Sequence, residues 1–294
     1  MSQDVFPALS VIIPTYMRTD VLWRSVEKVC AQFKPGDEML IVDQNIPPLE
    51  PPDSLTGSPL RLLHLDRPSL TRARNAGIEA ARNPDLVFLD DDIVPDPALL
   101  DALRRAAGSN PGCIVTGIVD QDDKPEEVPT PGWVNLRTGE IRTNFTRPFS
   151  GEADFFPGCL ALIPKSALPP RPYFNPSFRG ASQGEEIDFS LRMRGRGVRI
   201  VADPSIRIFH LKVVEGGCRS PEFRRRFFLD HVFNQGLFYG RHGALLHIEG
   251  FLRRLKGFME FHSRSTGGGH DKALVLRASA LMFRGLALGI WLRL

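Results

Sequence analysis

The chain has 294 residues, of which 42% are hydrophobic and 24% are charged, and its formal net charge is +3. This is an ordinary globular composition, with enough residues for one large core and an appendage. The four cysteines form no Cys-x-x-Cys pair, which argues against a zinc site and against a disulfide framework. The first apolar run lacks preceding basic residues and is too short to span a bilayer, so we expect a cytoplasmic protein.

The first half of the chain alternates short apolar runs with helical patterns. We predict four strands, at 9–16, 38–45, 60–66 and 85–92, and three helices, at 20–33, 69–83 and 96–108. Ser69 or Thr71 is the expected N-cap of the second helix, and Asp96 and Gly108 are expected to begin and end the third. This alternation predicts an α/β fold with a mostly parallel sheet and helices on both faces.

The second half is less regular. A hairpin is predicted at 133–145 with its turn at Thr138–Gly139, followed by a buried strand within 154–168. A short helix is expected within 180–197, and two strands within 198–213. From about residue 220 the pattern is helical and basic. Residues 216–294 contain 13 Lys or Arg and 5 Asp or Glu, so an acidic body precedes a basic tail.

Three consecutive aspartates end the apolar run "DLVFLDDD". In a strand, Asp90 and Asp92 share one face, and Asp91 lies on the other. Ligand sites in open α/β sheets lie outside the carboxyl ends of the strands, and two convergent carboxylates suit Mg²⁺ or Mn²⁺. A solvated acidic loop at the start of the next helix is the alternative.

A series of ordered segments resembles family-2 glycosyltransferases of the GT-A fold over about residues 9 to 217. The segments are "SVIIPTYMR", "LIVDQN", "TRARNAGIEAA", "VFLDDD", "FFPGCLALIPK", "GEEIDFSLRMR" and "IRIFHLKVVEGG". The resemblance implies a Rossmann-like GT-A catalytic domain at 1–217 and a basic helical extension at 218–294. It also implies an Asp-x-Asp motif, in which Asp92 contacts a metal and Asp90 holds the ribose or the waters of the metal.

The same resemblance places a nucleotide-diphosphate sugar beside the first strand, and a UDP-sugar is the expected donor. The residues expected near the base, ribose or diphosphate are Pro14, Thr15, Tyr16, Arg18, Asp43, Arg74, Asn75, Asp90 and Asp91. His210 is the third expected ligand of the Mn²⁺ or Mg²⁺ ion. The alternative for Tyr16 and Arg18 is an ordinary strand-to-helix turn. Gln44 and Asn45 depart from the residues usual in the family, which leaves the base open.

Direct displacement at an anomeric carbon requires a base that takes the proton of the acceptor hydroxyl. Glu185, Glu186 and Asp188 are the candidates, and stabilisation of a helix N-terminus by the dipole is a sufficient explanation for Glu185. Glu186 is the predicted base and Asp188 the second choice. Both predict an inverting reaction with a saccharide or a lipid-linked acceptor.

The C-terminal tail allows two interpretations. Between Ala278 and Leu292 only Arg284 is charged, which is too short and too interrupted for a confident membrane span. The tail is expected either to pack as a helix on the catalytic domain or in a dimer, or to lie in the plane of an anionic inner membrane surface. Nucleic-acid binding is not expected. The alternative functions are a sugar-1-phosphate nucleotidyltransferase and a non-catalytic protein that binds nucleotide sugars.

Overall fold

A central nine-stranded sheet organises the fold in the computed structural model, which describes residues 7–121, 131–138, 140–213, 215–217, 224–243, 249–250, 252–253, 256–257 and 272–293. The strands of this sheet are β1 (Leu9–Thr15), β2 (Glu38–Asp43), β3 (Leu60–His64), β4 (Asp85–Leu89), β5 (Ile93–Pro95), β6 (Ile114–Asp120), β9 (Gly151–Glu152), β10 (Leu160–Pro164) and β11 (Ile200–His210). A separate hairpin consists of β7 (Gly132–Asn135) and β8 (Glu140–Thr143).

The order of the strands is β3-β2-β1-β4-β10-β6-β11-β5, with β9 paired to β11. Strands β1 to β4, β6 and β11 run in one direction, because β10 is antiparallel to both β4 and β6. The predicted mostly parallel sheet is therefore confirmed, and the few antiparallel strands lie in its second half.

The helices are α1 (Thr19–Cys30), α2 (Leu70–Ala80), α3 (Leu99–Ser109), α4 (Glu185–Arg194), α5 (Arg224–Arg241) and α6 (Lys272–Trp291). Alternate residues of β1 face different cores, since successive side chains of a strand point to opposite faces. Val11 and Ile13 pack in the cluster that contains the buried residues of α1 and α3. Ile12 packs in the cluster that contains the buried apolar residues of α2 together with Phe189 and Met193 of α4. Helices thus cover both faces, as predicted.

Two sequence predictions about element boundaries are wrong. The third helix begins at Leu99, not at Asp96, because the Asp96 carboxylate accepts a hydrogen bond from the Ala98 amide at 2.9 Å and closes a separate turn. Gly108 lies inside this helix rather than ending it. The two strands expected within 198–213 are one strand, β11, whose register with β6 shifts between Ala202 and Arg207. The hairpin is confirmed, although Gly139 of its turn lies outside the described residues.

The C-terminal helices α5 and α6 pack against each other as a parallel pair. Glycines make the contact: a Cβ atom on Gly236 would lie 2.0 Å from the carbonyl oxygen of Met282, and one on Gly285 would lie 2.2 Å from that of Phe233. The backbones therefore touch directly, as in the small-xxx-small packing of closely approaching helices. Gly240 and Gly289 extend this contact one turn further. Among the described helices, none has both the length and the apolar character required to cross a membrane.

Candidate active site

The carboxyl ends of three adjacent parallel strands, β2, β1 and β4, meet at one edge of the sheet. They end at Asp43, Thr15 and Leu89, so Asp90, Asp91 and Asp92 follow directly at this edge. Ligands of open α/β sheets bind in this position, outside the strand ends. The topology therefore brings the acidic run beside the turn that follows the first strand.

Asp90, Asp92 and His210 form a group of potential metal ligands. Their ligand atoms all lie within 4.8 Å of one another. The Nε2 atom of His210 is 3.1 Å from Oδ1 of Asp92 and 4.0 Å from Oδ2 of Asp90. The pairing of β11 with β5, which matches His210 with Ile93, carries the imidazole across to the aspartates. Two carboxylates and one imidazole can hold a divalent cation such as Mn²⁺ or Mg²⁺.

The guanidinium of Arg18 forms ion pairs with two carboxylates of the acidic run, those of Asp91 and Asp92. Its Nη1 atom lies 3.0 Å from Asp91 and 3.1 Å from Asp92. Burial raises the pKa of Asp91 to about 6, although the charge of Arg18 and a hydrogen bond from the Thr15 hydroxyl oppose this. Burial acts in the same direction on Asp92, but the hydrogen bond and charge of His210, together with Arg18, hold the pKa of Asp92 below its ordinary value. Contacts with Arg18 and His210 thus offset the repulsion among the three carboxylates.

The backbone after β11 also contacts the acidic run. The amide of Val213 donates to Oδ2 of Asp92 at 3.1 Å, and the amide of Leu211 donates to the carbonyl of Asp92 at 2.9 Å. In turn, the Nη2 atom of Arg18 donates to the carbonyl of Val213 at 2.7 Å. Three segments that are far apart in sequence are therefore held together around Asp92.

Gly216 and Gly217 bring the same segment against the turn after β1. The amide of Gly217 donates to the carbonyl of Tyr16 at 2.9 Å. Gly216 has φ +72°, and a Cβ atom there would lie 1.9 Å from the carbonyl oxygen of Met17. This approach requires glycine, both for the backbone conformation and for space.

The other residues predicted beside the nucleotide have different surroundings. Pro14 is buried in β1 and pairs with Val42, whereas Tyr16 is partly exposed. The carboxylate of Asp43 accepts hydrogen bonds from the amides of Asn45, at 2.9 Å, and Leu49, at 2.7 Å. Asp43 therefore shapes the loop after β2 at the same edge.

Arg74 of α2 connects the acidic run to the start of α4. Its buried guanidinium forms an ion pair with Glu185, and its Nη2 atom donates to the carbonyl of Gly158 at 2.6 Å and lies 3.8 Å from Asp90. Burial lowers the pKa of Arg74, and the charges of Asp90 and Glu186 oppose this shift. Arg74 thus lies between the candidate metal ligands and the predicted base.

The neighbouring residue Asn75 points to a different partner. Its side-chain amide donates to the carbonyl of Phe174 and accepts from the amide of the same residue, both at 2.8 Å. Because both ends of the amide bind this backbone, Asn75 anchors the loop around Phe174, and its contact with the nucleotide stays a prediction.

The two candidate bases on α4 differ sharply. Glu186 is partly exposed in the first turn. Asp188 is fully buried, and its oxygens contact Arg192 at 3.1 Å, Arg241 at 2.7 Å and His242 at 2.9 Å. Burial acts to raise the pKa of Asp188, but His242 and the two arginines hold it well below the usual range. Such a carboxylate is a poor proton acceptor, which favours Glu186 over Asp188 as the base.

Sequence reasoning missed Arg241 and His242, the residues of α5 and its end that hold Asp188. They lie more than 50 positions after Asp188 in a segment that shows only a basic helical pattern, so no local signal connects them. It also missed the pairing of Arg74 with Glu185, for which the sequence supplied only the two charges.

Comparisons with known proteins agree with this geometry. The sequence model of glycosyl transferase family 2 matches residues 10–169, more than half of the chain. The chain belongs to glycosyltransferase family 2. The predicted family is confirmed, and the protein is an enzyme of the glycosyltransferase class. No curated protein matches the chain.

Solved structures with the same fold are distant in sequence, at 14% identity each. The structure of GalNAc-T7 with UDP, GalNAc and Mn²⁺ aligns with a TM-score of 0.58 over 90% of this chain and 58% of its own. TarS 1–349 of S. aureus aligns with 0.56 over 96% and 83%. The mannosyltransferase PcManGT of Pyrobaculum calidifontis, in complex with GDP-Man and Mn²⁺, aligns with 0.54 over 98% and 86%. The expected GT-A fold is confirmed, and the chain spans little more than half of the GalNAc-T7 chain.

Proposed function

We propose that this family-2 glycosyltransferase transfers a sugar from a nucleotide-diphosphate donor to an acceptor hydroxyl, with inversion and with the help of a divalent metal ion. The observation that carries the proposal is the group Asp90, Asp92 and His210 at the edge of the sheet where ligands of this fold class bind. Two of the similar structures contain Mn²⁺ together with a nucleotide or nucleotide sugar.

The donor set fits Mn²⁺ or Mg²⁺. Asp90 and Asp92 supply oxygen ligands, and His210 supplies an imidazole, which Mn²⁺ accepts more readily than Mg²⁺ does. The bound ion would offset the negative charge that grows on the departing diphosphate. The hydrogen bond between His210 and Asp92 holds the imidazole close to the position that it needs.

The remaining residues at this edge would orient the donor. Thr15, Tyr16 and Asp43 line the ends of β1 and β2, where we place the base and ribose, with Pro14 supporting the turn from within β1. Arg18 and Arg74 flank the aspartates and would attract the diphosphate. Asp91 keeps Arg18 in place rather than contacting the ion. A uracil base is our first candidate and guanine our second, since the similar structures contain UDP and GDP-Man.

Glu186 is the proposed base. Its carboxylate would accept the proton of the acceptor hydroxyl while the oxygen forms a bond to the anomeric carbon and the bond from that carbon to the diphosphate breaks. One displacement of this kind inverts the anomeric centre. Arg74, which experiences the charges of both Asp90 and Glu186, lies between the two halves of the reaction. The proposed acceptor is a saccharide or a lipid-linked saccharide.

A binding and transfer panel tests the proposal. Thermal unfolding is measured with UDP-, GDP-, dTDP- and CDP-sugars, each with Mn²⁺, with Mg²⁺ and with a chelator, and sugar release is measured in parallel. We expect one donor to stabilise the protein only when metal is present, because a ligand that binds the folded state alone raises its stability. Sugar release should require the same metal, and the anomeric configuration of the product should be inverted.

Matched variants make the panel specific to the site. Asp92→Asn should abolish both the metal-dependent stabilisation and the transfer, whereas Asp53→Asn, an exposed aspartate after β2, should leave both unchanged. Metal-dependent donor binding that survives Asp92→Asn would contradict the proposed site. A retained anomeric configuration would contradict the single displacement.

A further inference from the structure

Helix α6 has two faces with opposite character. One face, which includes Ala278, Met282, Gly285 and Gly289, is buried and contacts α5 through the glycines. The opposite face is exposed although it is largely apolar. Leu276 is 71% exposed, Phe283 52% and Trp291 69%.

These large side chains lie on a continuous stripe. With 3.6 residues in a helical turn, positions 276, 280, 283, 287 and 291 fall on one side of the helix, and all five are exposed. Ala280 and Ala287 fill the spaces between the three large residues, so polar side chains do not interrupt the row. We call these five residues the α6 stripe. A continuous row of exposed large apolar side chains is typical of an interaction site.

Arginines border the stripe, and acidic residues are absent from the sequence of the helix. Arg277 and Arg284 are exposed, are one heptad apart, and follow Leu276 and Phe283 directly in sequence, which places both on the same flank of the stripe. Arg293 is exposed beyond the C-terminal end. From residue 272 to 293 the sequence contains four basic residues and no Asp or Glu. The helix therefore combines an exposed apolar stripe with basic side chains and has no acidic residue in its sequence.

We propose that the α6 stripe docks on an anionic lipid bilayer, with α6 parallel to the membrane plane. Leu276, Phe283 and Trp291 would enter the boundary between headgroups and acyl chains, where the indole of a tryptophan is favoured. Arg277 and Arg284 would remain among anionic headgroups. Charge decides between this occupant and a second copy of the chain, since two stripes that face each other would bring arginines of both copies together without a carboxylate from either helix.

The glycine contact makes this docking surface rigid. Because the backbones of α5 and α6 touch directly, α6 cannot rotate its stripe inward without separating from α5. The stripe is therefore already exposed in the lipid-free protein, and membrane binding does not require the helix to fold on the membrane.

Vesicle binding of the full chain tests the proposal. Co-sedimentation and Trp fluorescence are measured with phosphatidylcholine vesicles and with vesicles that also contain phosphatidylglycerol. We expect binding to the anionic vesicles, a blue shift of the emission that is lost in Trp291→Phe, and weaker binding at high salt. Binding that is equal for both vesicle types, or absent for both, would overturn the proposal.

Paired variants separate the two contributions. Phe283→Ser with Trp291→Ser should reduce the partition coefficient at least about tenfold, because the apolar anchors are lost. Arg277→Gln with Arg284→Gln should reduce it roughly 30-fold, at about one factor of five per arginine near an anionic surface. The control pair Arg82→Gln and Arg105→Gln removes two exposed arginines that lie outside α6, one after α2 and one in α3, and should leave binding unchanged.

The oligomeric state tests the remaining alternative, in which the α6 stripe contacts a second copy of the chain. Light scattering after gel filtration should show the same mass for the native chain and for Phe283→Ser with Trp291→Ser. If the native chain were dimeric and this variant monomeric, with no binding to vesicles, the stripe would be a contact between copies and the lipid proposal would be wrong. The proposal does not depend on the identity of the donor sugar.

Discussion

The sheet edge around Asp92 and the C-terminal helix pair are held together by different means. At the sheet edge, cations and amides contact carboxylates, and three distant segments converge on one aspartate. In the helix pair, glycines allow two backbones to touch. The difference indicates that the sheet edge is suited to binding charged ligands, whereas the glycine contact fixes the position of α6 relative to α5.

Asp188 is the point at which these two regions meet. It belongs to the helix that carries Glu186, and its carboxylate is held by Arg241 and His242 from the end of α5. A second contact reinforces this joint, since the side-chain amide of Asn234 in α5 binds both the amide and the carbonyl of Arg179, at 2.8 and 3.0 Å. The helix pair is therefore coupled to the acceptor side of the proposed active site.

The largest expected effect on rate in this comparison comes from the first turn of α4, which Arg74 connects to the sheet edge. Glu186→Gln should lower the transfer rate by about 10²- to 10⁴-fold, because the acceptor hydroxyl loses its proton acceptor. Donor binding and thermal stability should stay near the native values, since the side chain is partly exposed. Kinetics with saturating donor measure this, and Glu50→Gln, an exposed glutamate in the loop after β2, is the control. Near-native turnover in Glu186→Gln would remove this residue from the mechanism.

The largest expected effect on stability comes from Asp188, whose contacts with Arg241 and His242 connect α4 to the helix pair. Asp188→Asn should lower the free energy of unfolding by about 3–5 kcal/mol, because it leaves buried cations without their partner. The depressed pKa of Asp188 in the folded state fixes the sign of the pH dependence: its contribution is present above the ordinary pKa of aspartate and declines as pH falls below it. The stability gap between native chain and variant, measured by urea unfolding, should therefore narrow toward low pH. A gap that widened on acidification would show that the carboxylate is not stabilised as its ion.

The smallest of these effects belongs to the helix pair alone. Gly285→Ala should destabilise the chain by about 1–3 kcal/mol, because the new methyl group overlaps the carbonyl of Phe233 and forces the helices apart. Donor binding should not change. Gly257→Ala is the matched control, since a Cβ atom there meets no atom within 4 Å. Equal unfolding curves for Gly285→Ala and the native chain would show that the backbones do not need this close approach.

The sequence predicted what depends on neighbouring residues. The position of Asp90 and Asp92 follows from a short apolar run and the two-residue period of a strand, and the mostly parallel sheet follows from alternating elements. His210 required the family resemblance, because it lies 118 positions from Asp92 and reaches it only through the pairing of β11 with β5. The partners of Asp188 could not be predicted, since a charge on one helix does not specify which distant helix will cover it.

The glycine contact between α5 and α6 could be predicted only in part. The sequences "GLFYG" at 236–240 and "GLALG" at 285–289 carry the spacing of closely packed helices, a signal that the sequence analysis did not use. Spacing alone would not have shown that the two motifs meet each other, or that they do so in parallel, because direction is set by the connection between the helices.

The burial of Asp188 also has a consequence for biosynthesis. During translation, α4 leaves the ribosome before Arg241 and His242 do, and it cannot bury its aspartate at full stability until those two residues have also emerged. Residues 1–217 contain every strand of the central sheet, but the contacts of Asp188 on α4 require the last quarter of the chain. We therefore expect transfer activity to appear only after the tail has been synthesised and folded.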